Sequence, residues 1–293
     1  MKELDETLRY LESEEALQAI ERDPYWPKWD GPWWRMVLLR EMGMARLIPR
    51  ACIDATMRAI DRRCLHFFPF RIEEVPRGVD PIRGIPCHCQ LGTLYQLLHA
   101  CGVDVDRELP WIRPWFLKYQ LPDGGLNCDE AAYTKPEPHS SVVSTLPPLE
   151  AVLFCTRRDF TREERSFLDR GAEYLVQRRL FRSKRTGAAI DESWLRPAFP
   201  RFYFYDVLRG LRLAARLGIE SPEAMEVAAS AEPVRRDLGG TATWIFEEGE
   251  WKKGPARSFP LLDAADPGIL RKERDEVLAA IARIDPRETP RSA

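Results

Sequence analysis

The sequence has no long apolar run: nothing in it approaches the ~18 uninterrupted apolar residues of a bilayer-spanning helix, so no integral membrane segment is expected. The first residues, MKELDETLRYLESEEALQAIERD, are charged and helical in pattern and carry no apolar signal core, which makes a cytoplasmic location the expectation. An excess of one charge is also missing. Lys and Arg number 44 against 46 Asp and Glu, a net charge of −2, and wholesale nucleic-acid binding is therefore not expected. There is no phosphate-binding glycine loop, no dinucleotide fingerprint and no Gly-x-Ser-x-Gly elbow. Alternating β-branched runs with hairpin turns are lacking, and only Thr241–Glu250 allows a short turn or extended piece. What is present is ample core material, with 44% hydrophobic and 31% charged residues, which excludes a disordered chain. The length of 293 residues is compatible with one helical domain. Seven cysteines, an odd number, read as thiols or metal ligands in place of a disulfide frame.

Periodicity is helical almost throughout. Gln90–Cys101 aligns Leu91, Leu94, Leu97 and Leu98 on one stripe, and Arg107–Tyr119 does the same with Leu109, Ile112, Trp115 and Phe116. Glu163–Arg179 carries Phe167, Leu168, Tyr174 and Leu175, and Phe202–Leu217 carries Phe204, Val207, Leu208 and Leu211. These helices come in pairs, with a more apolar helix followed by a charged one, over roughly 33–66, 87–125, 139–187 and 200–240. The pairs recur about every 50 residues, as in helical arrays whose units bury a face only by stacking on their neighbours. A C-terminal helix is expected over about 270–284, followed by a loose tail at Asp285–Ala293. Many of the 24 prolines sit in loops or at helix starts, Pro110, Pro122, Pro200 and Pro222 among them. The adjacent Pro147 and Pro148 predict a helix starting near Leu146 or a kink there.

YQLPDGGLNC at 119–128 resembles the repeat-closing motif of the squalene cyclase and protein prenyltransferase superfamily. YLVQRRLFRSKRTG at 174–187 is similar to a second, weaker copy, with Gln177 in the place of Gln120. The resemblance covers roughly Trp33–Gly240 and implies an all-α fold, an α/α toroid whose inner and outer helices alternate around a central cavity. A shared fold does not by itself fix a reaction. The Asp-x-Asp-Asp acid of terpene cyclases has no counterpart: Asp104-Val-Asp106 lacks the last Asp and falls where a helix cap is expected, so ordinary squalene cyclisation is not implied.

The chemistry-bearing residues cluster at helix starts. Cys87, His88 and Cys89 precede one inner helix, Cys128 follows the glycine turn, and His139 precedes the next inner helix. In a toroid these positions share one rim. Farnesyltransferase-like members of the superfamily bind catalytic zinc at such a place, and the resemblance implies zinc at Cys89, Cys128 and His139, with Cys87 or His88 in addition. Without a metal, Cys128 or Cys89 beside His139 would form a thiol–imidazole dyad. The other cysteines, Cys52, Cys64, Cys101 and Cys155, lie on helical stripes and read as packing, and His66 and His99 as surface or half-buried residues of no special task.

Asp206 starts a later inner helix at the position corresponding to Cys89 and His139, which makes Asp206, His139 and Cys128 the candidate catalytic groups. Between Arg157 and Arg216 lie 15 basic and 8 acidic residues. Arg196, Arg201 and Arg209 flank the inner helix there and are expected to hold the diphosphate of an isoprenoid. Tyr25, Trp26, Trp29, Trp33 and Trp34 form an aromatic stretch suited to an apolar or carbocationic guest. Two functions compete: a zinc-assisted transferase or lyase acting on a small apolar or isoprenoid ligand, and a non-catalytic ligand-binding or scaffold protein. A carbohydrate-active toroid is a third, although Glu130, Glu137 and Glu150 form no evident carboxylate pair.

Overall fold

The structure, a computed structural model, describes residues 2–236, 238, 242–247 and 250–283. It is mostly helical, with thirteen α-helices among the described residues. None of these helices is long and apolar enough to cross a membrane. Helices α1 (Lys2–Leu11) and α2 (Glu14–Arg22) open the chain, and the Ser13 hydroxyl caps α2 by accepting from the Ala16 N–H at 3.2 Å.

Four helix pairs follow. They are α3 (Pro32–Glu41) with α4 (Arg50–Arg63), α5 (His88–Ala100) with α6 (Val105–Glu108) and α7 (Ile112–Lys118), α8 (Val142–Cys155) with α9 (Arg162–Val176), and α10 (Val207–Arg216) with α11 (Pro222–Ser230). Burial separates the members of a pair. In α8, 12 of 14 residues are buried, whereas α9 buries 6 of 15, along one stripe. Two expected helices are shorter than their hydrophobic pattern. The stripe over Arg107–Tyr119 is broken into α6 and α7 around Pro110. The helix expected from Phe202 begins at Val207, because Asp206 caps it by accepting from the Arg209 N–H at 2.9 Å.

The α5 and α8 backbones meet at Gly92. A Cβ on that residue would lie 2.4 Å from the carbonyl carbon of Pro147 and 2.5 Å from the nitrogen of Pro148. Neither proline starts a helix: α8 begins at Val142 and carries both inside. Prolines here remove two N–H groups, and the Pro147 carbonyl accepts across the contact from Gln96 Nε2 at 3.1 Å.

The glycine motif fastens one pair to the next. Gln120 Nε2 donates to the Gly124 carbonyl at 2.7 Å and to the Phe167 carbonyl of α9 at 2.9 Å. Gly124, at φ +93°, packs so tightly that a Cβ would lie 2.1 Å from the Arg170 carbonyl oxygen, so only glycine fits. Asp123 accepts from the Ser140 N–H at 3.1 Å and from the Ser140 hydroxyl, which anchors the lead-in to α8. Gln177 does not repeat this: it is exposed and bonds locally to Glu173 at 2.6 Å.

Near the C-terminus, β1 (Ala198–Phe199) pairs in parallel with β2 (Val234–Arg235), and β3 (Ala242–Glu247) pairs antiparallel with β4 (Glu250–Ala256). Thus an antiparallel strand pair occupies the region where a short turn or extended piece is expected. Helices α12 (Pro260–Asp263) and α13 (Ile269–Ile281) close the described chain. Gly240, Thr241, Ile284 and the tail Asp285–Ala293 lie outside the described residues.

Candidate metal centre

Three thiols converge at the starts of α5 and α8. Cys87 is the extended residue that caps α5, and Cys89 lies in the first turn of that helix. Cys128 follows the glycine turn, where its N–H donates to the Ser144 hydroxyl of α8 at 3.1 Å. The sulfurs of Cys87 and Cys89 are 3.2 Å apart, and the Cys89 N–H donates to Cys128 Sγ at 3.5 Å. All three sulfurs lie within 4.8 Å of one another, and the group can hold a metal ion. Cys89 is buried, while Cys87 and Cys128 are half-buried.

The cluster favours one negative charge over three. Hydrogen bonds from the Cys128 and Cys89 thiols hold Cys87 well below the usual thiol range, helped by the Gln90 N–H and the Lys28 charge against burial. Cys89 is pushed well above that range by its bonds to Cys128 and Cys87 and by burial. Cys128 is pushed up to about 11 by its bond to Cys87 and by burial, against a lowering bond to Cys89. Ionising all three therefore requires a cation among them. Zinc suits this donor set: Zn–S bonds of about 2.3 Å in a tetrahedron place sulfurs about 3.8 Å apart, inside the 4.8 Å that contains these three.

The loop between α2 and α3 builds an aromatic wall with the lead-in to α10. Lys28 projects its ammonium over the rings of Tyr203, Trp26, Tyr25 and Trp29, at 4.9, 5.0, 5.5 and 5.7 Å from their centroids. Trp29 stacks on Phe204 at 5.7 Å and on Phe202 at 5.8 Å. Its backbone is at φ +126°, a region almost reserved for glycine, and its buried indole N–H has no hydrogen-bond partner among the described residues. Strain and an orphaned donor thus sit together at this wall.

Of the expected site residues, Cys87, Cys89 and Cys128 come together. His139 does not join them: its side chain is exposed, and its carbonyl accepts from Asn127 Nδ2 at 2.8 Å. His88 is buried between them in sequence, but Trp115 and Tyr133 occupy both of its ring nitrogens. Asp206 is fully buried and its carboxylate binds Arg201, with one oxygen 2.8 Å from Arg201 Nε. Arg201 also binds Glu273 at 2.7 Å, and Arg209 binds Glu150 at 2.6 Å. These arginines border a polar cavity of about 370 Å³, which Glu41, Glu150 and Glu273 line as well. Arg196 is exposed and outside that lining. The physical reason for the pairing is burial: charges this deep persist only when opposite charges accompany them.

The remaining cysteines, Cys52, Cys64, Cys101 and Cys155, are all free, and burial raises each thiol. Asp104 caps α6 through the Arg107 N–H at 3.3 Å, and Asp106 binds Arg113 at 2.8 Å. Lys28 is the residue that the sequence alone did not single out. Its signal was a lone cation inside YWPKWDGPWW. Comparison of the chain with protein-family profiles, curated proteins and solved structures finds no match.

Proposed function

We propose that this chain is an α/α toroid of the prenyltransferase and squalene cyclase type that binds zinc through Cys87, Cys89 and Cys128. Its activity would be that of a transferase or lyase acting on a small apolar, isoprenoid-class ligand. The observation that carries the zinc assignment is the convergence of three sulfurs within 4.8 Å. Alternation of heavily and lightly buried helices supports the toroid. Three protein ligands leave the fourth position of a tetrahedral ion open, as in catalytic sites. Bound there, zinc would supply a Lewis acid able to activate a thiolate.

The chain's own residues do the rest. Tyr25, Trp29, Tyr203 and Phe204 offer an apolar, π-rich wall at the rim. Arg201 and Arg209 are occupied by carboxylates, so this reading gives them no diphosphate to hold. The same saturation favours the second reading, a non-catalytic ligand-binding or scaffold protein. Elemental analysis of protein expressed and purified without chelator tests the metal. About one zinc per chain is expected, lost in Cys128→Ser, and less than about 0.1 per chain overturns the proposal.

A further inference from the structure

The polar cavity bordered by Arg201 and Arg209 is lined by two further guanidinium groups, and neither has an ion pair among the described residues. Arg40, in the last turn of α3, donates to Gln96 Oε1 at 2.5 Å, a neutral amide that donates in turn to Glu150 at 3.2 Å. Arg212 lies three residues beyond Arg209 on α10, on the same face. It is held over the Phe154 ring at 4.5 Å and has no hydrogen bond among the described residues. Both side chains are half-buried, and the buried polar atoms that lack a partner include none of theirs. Their unused N–H groups therefore reach accessible space. The carboxylates of the lining are largely spent: Arg209 binds Glu150, and Arg201 binds Glu273. Glu41 accepts from the Arg201 N–H at 2.8 Å and has no ion pair among the described residues.

Arg40 and Arg212, set against Glu41, leave one positive charge of the lining without a partner. A guanidinium presents a rigid fork of donors that matches a carboxylate, and it is more weakly hydrated than an ammonium. The three glutamates of the lining repel a second negative charge on a guest, so a monoanion fits better than phosphate. Apolar side chains, Met42, Phe199 and Ile269 among them, complete the lining. Gly43 and Ile269 are exposed, so the cavity opens to solvent. Its volume of about 370 Å³ is at the small end of ligand pockets. We infer that this cavity binds a small organic monocarboxylate, whose carboxylate pairs with Arg40 and Arg212 and whose apolar body lies on Met42, Phe199 and Ile269. The site needs no metal and is independent of the zinc reading.

The test is calorimetric titration of the full chain with sodium butyrate and sodium hexanoate, with hexanol and inorganic phosphate as comparisons. Saturable binding of about one carboxylate per chain is expected, about tenfold or more tighter than hexanol or phosphate. Arg40→Gln and Arg212→Gln should each weaken it about tenfold or more, since each removes a charged donor. Arg212 makes no hydrogen bond within the fold, so Arg212→Gln decides if Arg40→Gln fails to fold. Absence of saturable binding of either carboxylate by the native chain overturns the inference. Undiminished binding by the folded variants also overturns it, by placing the carboxylate elsewhere. Hexanol binding as tightly as hexanoate would show that no charge is recognised, and phosphate doing so that no apolar body is, and either result overturns the inference.

Discussion

The indole N–H of Trp115 donates to Nδ1 of His88 at 2.7 Å. An indole nitrogen can only donate, so Nδ1 is the bare nitrogen and Nε2 carries the proton. Nε2 then donates to the Tyr133 hydroxyl at 2.9 Å, and that hydroxyl donates to the Tyr119 carbonyl at 3.0 Å. Burial keeps the ring neutral, with its pKa brought down to about 4. This relay ties the start of α5 to α7 and to the loop beyond the glycine turn, and it leaves neither nitrogen for a metal.

His88→Ala is therefore expected to lower unfolding free energy by about 2–4 kcal/mol, through a cavity and an unpaired indole N–H. Zinc content should not change. Urea unfolding and elemental analysis check the two halves separately, and a variant that folds but loses zinc would make His88 a ligand.

His139→Ala should leave zinc affinity within about twofold of native, because an exposed side chain outside the thiol group contributes no ligand. A loss of tenfold or more would restore the ligand set expected from the sequence, on the scale of losing a group that supports a metal.

The two copies of the closing motif should respond differently. Gln120→Ala removes two bonds that join α7, the glycine turn and α9, and should cost about 2–3 kcal/mol. Gln177→Ala removes only local, exposed contacts and should fall within about 0.5 kcal/mol of native. Denaturant midpoints at constant slope decide, and equal costs would mean that both copies act as staples.

Glu150 gives a pH signature. Burial alone would raise it, but the Arg209 charge and hydrogen bonds outweigh this, with Arg212 and Arg40, and carry it down to about 2. A carboxylate depressed on folding stabilises fully above its unfolded pKa and loses that contribution as pH falls toward the folded one. The stability difference between native protein and Glu150→Gln should thus shrink by about 3 kcal/mol between about pH 5 and pH 2. A difference independent of pH would show that folding does not shift the Glu150 carboxyl, and one that grows as pH falls would show that it is raised.

Much of this was legible in the sequence because it rests on local rules. Apolar spacing marked the helices, and the Gly124–Gly125 turn marked the end of a pair, since its φ and its contact with Arg170 admit no side chain. Cys87, Cys89 and Cys128 could be brought together by placing helix starts on one rim. His139 occupies an equivalent chain position, yet direction is not set by position, and its ring points to solvent. Asp206, Arg201 and Arg209 showed their charge but not their partners: Glu273 is 72 residues from Arg201 and Glu150 is 59 from Arg209. Ion pairs of that separation leave no periodic trace. Lys28 was hidden for a related reason, as its neighbour Tyr203 lies 175 residues away.

The Glu150–Arg209 pair also bounds the interior. Gln96, which donates to Glu150 at 3.2 Å, lies seven residues beyond Cys89 on α5, a rise of about 10 Å. Stripping either ion of its partner at that depth would cost several kcal/mol. The buried charges thus form an ionic layer about two turns along α5 from the thiols, one that the fold keeps only as bonded pairs.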